Sequence, residues 1–338
     1  MAKATSSPQS STRSSRQLGR RGHGDERGRS ADSPAQVPAK GWKDIFKRTF
    51  QQIGEDNLSI VAAGVAFFAF LAIVPAMASV IAIYGFVADP ATVSQHLDTL
   101  RRVVPAEAMP LLQEQLERIT QNNPAAGWGA IIGLALTLFA SLKGTKALME
   151  GLNIAYDERE KRGFVKLHLV AFVLTFGAIL GVAALVGLIA VLPAVLSYMR
   201  LSGFAETLLG VLRWPLMAAL FMFGLAALYR YGPSRDEPKW RWVTPGAALA
   251  AIIWLIGSAL FSLYATNFGN FDKTYGSLGA VVAFLLWLQL SAFVVLLGAE
   301  LNCEQERQTA RDTTEGHEQP MGQRGAYAAD TVAPPSAK

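Results

Sequence analysis

Six long apolar stretches alternate with short polar segments over most of the chain. A helix needs about 20 residues, at a rise of about 1.5 Å per residue, to cross a hydrocarbon core of about 30 Å. The fourth stretch is the least clean, because Arg213, Trp214 and Pro215 interrupt it. The pattern predicts an all-α polytopic membrane helix bundle with about six transmembrane helices. The predicted spans are residues 59–87, 127–149, 168–196, 208–230, 245–265 and 277–301.

The segments around these spans have different patterns. Residues 88–126 carry apolar positions at helical spacing, which predicts amphipathic outer helices. Residues 41–53 place large apolar side chains on one helical face, which fits either an interfacial helix on an anionic leaflet or a helix packed on the protein's own cytoplasmic side. The tails, residues 1–40 and 307–338, are polar and are predicted to be disordered. Residues 41–306 then form the six-helix transmembrane domain.

Charge supports this topology and suggests an orientation. Only 17% of the 338 residues are charged, whereas a soluble domain carries about 25%. Lys and Arg in short loops favour the cytoplasmic side. The loops after spans two and four hold ten of them: Lys143, Lys146, Arg159, Lys161, Arg162, Lys166, Arg230, Arg235, Lys239 and Arg241. The alternate loops hold six: Arg101, Arg102, Arg118, Arg200, Arg213 and Lys273. This bias predicts that both termini are cytoplasmic.

Several motifs follow one another along the chain. Those in the second half read Tyr229-Arg230-Tyr231-Gly232-Pro233, Trp240-Arg241-Trp242-Val243-Thr244-Pro245-Gly246, Thr274-Tyr275-Gly276-Ser277-Leu278-Gly279-Ala280 and Leu297-Gly298-Ala299-Glu300-Leu301-Asn302. Earlier segments are Ala62-Ala63-Gly64-Val65-Ala66-Phe67-Phe68 with Pro75, and Asn153 with Tyr156 and Glu158. The set, over about residues 42–306, resembles the YihY/BrkB family of bacterial inner-membrane proteins. One departure is Ala72, where the family often has Ser.

The resemblance implies a six-helix protein of the bacterial inner membrane without an established mechanism. The family was once labelled ribonuclease BN, and the residues here do not support that label. The four histidines are scattered, Cys303 is the single cysteine, and no Walker, HExxH or CxxC motif occurs. We therefore predict that the chain is not an enzyme, has no catalytic, cofactor-binding or metal-binding residues, and has no nucleic-acid partner. The expected partners are the lipid bilayer and an unknown solute or lipid.

The turn before span six is a candidate functional feature. Residues from Asn267 to Lys273 lead into Tyr275, Ser277 and an apolar helix. Ser277 or Thr274 is suited to cap that helix, and free N–H groups at a helix start can receive an anion. A capped tight turn and a ligand-entry site both fit this pattern.

Two further patterns concern helix starts and helix packing. Thr244 and Pro245 fit the N-cap and the first residue of span five. Small residues recur at a spacing of four: Gly177 with Gly181 in span three, and Gly246 with Ala250 in span five. We interpret these pairs as packing contacts between helices.

Charged side chains near the inner ends of the spans are a second candidate feature. Lys146 and Glu150 are one helical turn apart and suited to pair locally, and Glu300 is placed to meet Lys143 across the bundle. The alternative is that these charges lie at headgroup level and extend into water. Gln289, midway along span six, is predicted to make an interhelical hydrogen bond.

These features favour transport or permeation of an unknown solute or lipid, because kinked, glycine-rich spans and polar helix ends permit a pathway. The alternative is a non-catalytic envelope scaffold that recruits partners through its outer helices and cytoplasmic tail. The candidate functional polar positions are Lys143, Lys146, Glu150, Asn267, Tyr275, Ser277, Gln289 and Glu300.

Overall fold

The computed structural model describes residues 25–87, 139, 142–188, 203–267 and 278–334. Within these ranges the regular structure is helical, apart from one antiparallel bridge between Pro238 and Thr314. The helices are α1 (Ala39–Glu55), α2 (Leu58–Val87), α3 (142–155), α4 (Phe164–Val186), α5 (Gly203–Tyr231), α6 (Trp240–Asn267), α7 (Gly279–Glu306) and the short α8 (Tyr327–Asp330). The predicted all-α helix bundle is confirmed.

The helices α4 to α7 are each long and apolar enough to cross a membrane. The helices α1 and α2 meet at 65° and make a fifth span if they are counted together. Only the end of the second predicted span, 127–149, is described, as the beginning of α3. The rest of that span and the outer segment 88–126 lie outside the described residues, so the number six remains a prediction.

The helix α5 corresponds to the fourth predicted span, in which Arg213, Trp214 and Pro215 interrupt the apolar sequence. It is continuous from Gly203 to Tyr231 with Pro215 inside it. The Arg213 guanidinium lies 5.3 Å from the centre of the Trp214 ring, which is exposed. The residues that interrupt the apolar run therefore belong to one long helix, and Trp214 covers the charge of its neighbour.

The helix α7 is central, because it packs against α1, α2, α6 and α8. It approaches α6 most closely at two glycines: a Cβ atom on Gly246 would overlap the carbonyl oxygen of Gly298, and one on Gly298 would contact Ala250. The predicted packing role of Gly246 and Ala250 is confirmed. A Cβ atom on Gly177 or Gly181 of α4 would instead have no neighbouring atom of the described residues within 4 Å, apart from the backbone of its own helix.

The polar segments that precede and follow the bundle fold together over one end of it. We call residues 25–56 and 307–334 the terminal cap. Arg48 of α1 donates a hydrogen bond to Oε1 of Gln308 (2.9 Å), and both side chains are buried. This corrects the predicted disorder for residues 25–40 and 307–334. Their polar groups find partners far away in the sequence, which local composition does not reveal.

The helix α1 has two different faces. Ile45 is buried in a cluster with Leu301 of α7, whereas Phe46 and Phe50 are exposed. The helix therefore packs on the protein, as one of the two alternatives for residues 41–53 required. Its exposed Phe46 and Phe50 side chains can contact the medium around the bundle.

Candidate functional site

The start of α6 lies beside the polar end of α7. The helix begins at Trp240, and Trp242 donates its N–H to the carbonyl of Lys239 (2.9 Å). Thr244 lies inside the helix, where its Oγ1 donates to the carbonyl of Trp240 (2.8 Å). The predicted helix start at Thr244 and Pro245 is therefore wrong by about one turn. Pro245 has no N–H, so the helical ladder loses a bond there.

Asn302 of α7 supplies hydrogen bonds to this part of α6. Its Oδ1 accepts from the N–H of Gly246 (2.8 Å), and its Nδ2 donates to the carbonyl of Val243 (3.2 Å). Gln305, one turn further along α7, donates to the carbonyl of Trp242. These contacts fix the position of α6 along α7, because each engages a particular backbone group.

Two buried glutamates join the end of α7 to the surrounding segments. Glu306 receives two hydrogen bonds from Arg235, at 2.7 and 3.0 Å. Glu304 pairs with Arg48 of α1 and with Arg307. Both carboxylates are thus compensated by guanidinium groups, as buried charges require.

Glu300 lacks such a partner. Its side chain is buried, with only 1% of the residue exposed, and its Oε2 has no hydrogen-bond partner among the described residues. The side chain of Asp56, at the corner between α1 and α2, is hydrogen-bonded to it. A bond between two carboxyl groups requires a proton on one of them, because ionised carboxylates only accept. The Asp56–Glu300 pair therefore holds a proton whenever this bond is formed.

The turns that follow α1 and α3 place Asp56 and Asp157 near Glu300. Asn57 and Asp157 have positive φ angles of 51° and 54°, a conformation that Asn and Asp tolerate better than most residues. Burial raises the pKa of Asp56 to about 6; repulsion from Asp157 adds to this rise, and the hydrogen bond with Glu300 opposes it. Burial also raises the pKa of Asp157, against the attraction of Arg307.

We call Asp56, Asp157, Glu300 and Glu304 the carboxyl cluster. Among the described residues, no group of three or more His, Cys, Asp or Glu side chains is arranged to hold a metal ion. Within the cluster, burial and the neighbouring carboxyl groups favour the protonated forms of Asp56 and Asp157.

The structure separates the charged positions that the sequence grouped. Lys143 and Glu150 are exposed on α3. Lys146 lies 3.2 Å from Nε2 of His168, measured from its Nζ, and makes no ion pair with Glu150. Glu300 does not meet Lys143 either. Both predicted ion pairs are wrong, and only Glu300 belongs to the carboxyl cluster.

Gln289 is half-buried on α7. The hydrogen bonds between α6 and α7 in this region come from other residues. Trp254 donates to Oγ of Ser291 (2.9 Å), and Trp287 donates to Oγ of Ser258 (3.2 Å). The interhelical hydrogen bond predicted for Gln289 is not formed with a described residue.

The predicted turn before span six lies mostly outside the described residues. Asn267 is the last residue of α6, while Tyr275 and Ser277 fall in the undescribed range. The helix α7 begins at Gly279, and Leu278 in the cap position offers no side-chain hydrogen bond. The capping and ligand-entry roles of this turn remain predictions.

Sequence reasoning missed Asp56, Asp157 and Arg235 because each lies in a short polar corner that resembles a solvated turn. Asn57 is a signal for the first corner, since Asn often ends a helix in the left-handed conformation. Asn302 had a clearer signal, because it closes one of the motifs that carry the family resemblance.

Long apolar helices packed around α7 define a multi-pass membrane protein with a helical bundle. More particularly, residues 49–322 match the protein-family model described as virulence factor BrkB, and the chain belongs to that family. The resemblance inferred from the motifs is confirmed.

Relatives of this chain come from several bacteria. The ribonuclease-like protein YfkH of Bacillus subtilis is 28% identical over 77% of this chain and 93% of its own length. A UPF0761 membrane protein of Vibrio parahaemolyticus is 30% identical over 76% of this chain and 80% of its own length. One of Cronobacter sakazakii is 29% identical over 82% and 94%. No solved structure matches the chain.

Proposed function

We propose that the protein is a permease in which the Asp56–Glu300 pair takes up and releases a proton as an unknown solute or lipid crosses the membrane. The observation that carries this proposal is the buried and unpartnered Oε2 of Glu300. Leaving a polar atom unpaired in the interior is costly. Ionisable groups within spans commonly mark paths for ions or protons.

The neighbouring proline in α6 supports the proposal. Pro245 removes a helical hydrogen bond, and Asn302 holds the adjacent backbone groups from a position two residues after Glu300. The helix α6 continues through Pro245, but backbone groups freed from the helical ladder can bind or rearrange beside a site, as they do in the discontinuous helices of secondary transporters. A change in the protonation of Glu300 would therefore act directly on the contact between α6 and α7.

We also propose a non-enzymatic protein of the bacterial inner membrane, with the terminal cap in the cytoplasm and no nucleic-acid partner. The loops 156–163 and 232–239 hold five Lys and Arg residues at the capped end, and the positive-inside rule, which counts these residues, assigns that end to the cytoplasm. A nuclease role, suggested by the name of the Bacillus relative, is not favoured. Among the described residues, none are grouped to bind a metal ion.

A scaffold function is the second candidate, and an exposed loop in the terminal cap favours it. Residues 315–323 are exposed. Asp312 holds their base by accepting the N–H of Gln319 (2.7 Å), and Arg324 donates to the carbonyl of Gln319 (3.0 Å). An ordered and exposed loop is suited to recruit a partner protein.

Proteoliposomes loaded with a pH-sensitive dye test the permease proposal. Pools of small solutes are added under an inward proton gradient, and internal acidification is followed. We expect one pool to accelerate acidification with the wild-type protein and not with Glu300→Gln. Glu318→Gln is the matched control, because this glutamate is exposed in the loop.

Equal acidification by wild type and Glu300→Gln for every pool would contradict the permease proposal. Deletion of residues 315–323 separates the two candidates. If the protein is a permease, the deletion variant keeps the solute-dependent acidification. If it is a scaffold, the deletion variant loses partner binding, and neither the wild-type protein nor the variant shows solute-dependent acidification.

A further inference from the structure

A basic cavity of about 340 Å³ lies at the capped end, and none of its lining residues belongs to the carboxyl cluster. It is lined by the loop between α3 and α4, the loop between α5 and α6, the first turns of α4 and Gly325 of the terminal cap. Its acidic lining residues are Asp236 and Glu237, and its basic ones are Lys161, Arg162, Lys166, Arg230 and Arg235. The excess of positive charge favours an anionic ligand.

The basic residues of the cavity divide into two kinds. Arg162 and Arg235 are occupied, since Arg162 donates to Glu160 and to the carbonyl of Gly232 (2.8 Å) while Arg235 is paired with Glu306. Lys166 is exposed and forms no ion pair with a described residue.

Lys161 and Arg230 supply further positive charge. The Nζ of Lys161 donates to Glu158 (2.7 Å), its backbone N–H donates to Oγ of Ser234 (2.9 Å), and 58% of its side chain is exposed. The nearly buried side chain of Arg230 pairs with Glu237 (2.9 Å) and Glu315 (3.5 Å), but its Nε finds no acceptor among the described residues. The cavity thus combines two exposed lysines, of which Lys166 forms no ion pair with a described residue, with an arginine that keeps one unpaired N–H group.

The start of α4 adds a second source of attraction for anions. Gly163 lines the cavity and occupies the cap position of α4 without a side chain to bond the first N–H groups. These groups, on Phe164 to Lys166, and the helix dipole favour a negative ligand at this position. A phosphate group fits such a combination of backbone donors and lysines.

The surroundings of the cavity are apolar. Phe164 and Val165 at the start of α4 are 74% and 78% exposed. Leu169 continues the exposed apolar surface along α4, while Tyr231 and Trp240 flank the other side. Exposed Trp and Tyr are typical of the membrane–water interface. A ligand in the cavity therefore has its anionic part beside lysines and any hydrocarbon part beside a lipid-facing helix.

We propose that this cavity binds the headgroup of an anionic phospholipid, with the acyl chains along the exposed face of α4. Basic pockets between transmembrane helices bind such headgroups through phosphate. The apolar rim distinguishes this ligand from a free phosphate ion, which would use only the lysines and the helix start. The inference does not depend on the permease proposal.

Thermal unfolding of the full chain in detergent tests this inference. Phosphatidylglycerol, phosphatidylcholine and inorganic phosphate are titrated separately. We expect phosphatidylglycerol to raise Tm in a saturable way, and the other two to have little effect. In Lys161→Gln/Lys166→Gln the apparent Kd for phosphatidylglycerol should rise about tenfold or more, as two lysines near an anionic headgroup imply.

The matched control is Lys43→Gln/Arg241→Gln, which removes two exposed charges at the capped end outside the cavity. It should bind phosphatidylglycerol like the wild type, and Lys161→Arg/Lys166→Arg should retain most of the affinity. An equal loss in both Gln pairs would overturn the proposal, because it would reveal general surface attraction. An equal Tm shift with inorganic phosphate would also overturn it, in favour of a free phosphate site.

Discussion

Arg235 and Glu306 form a two-point ion pair in which neither side chain is exposed. The N–O distances are 3.0 and 2.7 Å. The Arg235 guanidinium also lies 4.9 Å from the centre of the Tyr156 ring. Burial alone would lower the pKa of Arg235, but the carboxylate of Glu306 raises it. This pair therefore joins the end of α3, the loop after α5 and the last turn of α7.

Arg235→Met should strongly destabilise the protein, because it leaves Glu306 buried without its partner. We expect the free energy of unfolding to fall by about 3–5 kcal/mol. Denaturant-induced unfolding in detergent micelles measures this loss. In Arg235→Met/Glu306→Leu much of the stability should return, since no unpaired charge remains.

The exposed pair of Lys40 with Glu26 is the control, with both side chains more than half exposed. Lys40→Met should change stability by less than about 1 kcal/mol. Equal losses in the single Arg235 variant and in the double variant would contradict the predicted role of the buried pair.

Gly246→Ala should separate α6 from α7. The new Cβ atom would overlap the carbonyl oxygen of Gly298, and neither backbone can move freely. We expect a loss of about 1–3 kcal/mol, the usual range for overpacking. Gly177→Ala is the control and should be neutral or slightly stabilising, because its Cβ meets open space and Ala favours the helix. A comparable loss in both variants would show that the crossing is not specific.

The positions of the long helices follow from the sequence, because a bilayer demands long uncharged helical runs. The beginning of α6 does not. Pro245 is typical of a first helical position when only local information is used. In the protein it lies within the helix, where Asn302 of another helix supplies bonds to the neighbouring backbone.

The carboxyl cluster, too, is predictable from the sequence only in part. Glu300 is identifiable from the sequence as an ionisable group at the end of a span. Its contact with Asp56 depends on a corner between two helices far away in the chain, and the local pattern does not show where that corner lies. The terminal cap is hidden from local patterns for the same reason, since Arg48 and Gln308 lie 260 residues apart in the sequence.

Asn302→Leu should weaken the hold of α7 on α6. It removes the acceptor for the N–H of Gly246 and the donor for the carbonyl of Val243. Unpaired buried groups of this kind cost about 1–3 kcal/mol. Amide hydrogen exchange at Gly246 should accelerate in the variant, while Ser291→Ala, three turns earlier on α7, should leave that exchange unchanged. Unaltered exchange at Gly246 in Asn302→Leu would contradict the assigned contact.

The stability of the protein should depend on the protonation of Asp56. Its pKa is about 6 in the folded protein and about 3.9 in an unfolded chain. Between these values the folded state binds more protons than the unfolded state, so the free energy of unfolding falls as the pH rises from about 4 to about 6. Above about 6 both states are ionised and the cost stays constant. Asp157, whose pKa is also raised, contributes with the same sign.

Asp56→Asn should therefore be more stable than the wild type at pH 7 and nearly equal to it below about pH 4. Unfolding in detergent at a series of pH values measures the difference. Asp312→Asn provides a control of opposite sign. Burial tends to raise the pKa of Asp312, but hydrogen bonds from Thr314 and Gln319 lower it overall. The stability that Asp312 contributes is present above its unfolded pKa and is lost as the pH falls. An identical pH profile for Asp56→Asn and the wild type would contradict the proton-holding role of the Asp56–Glu300 pair.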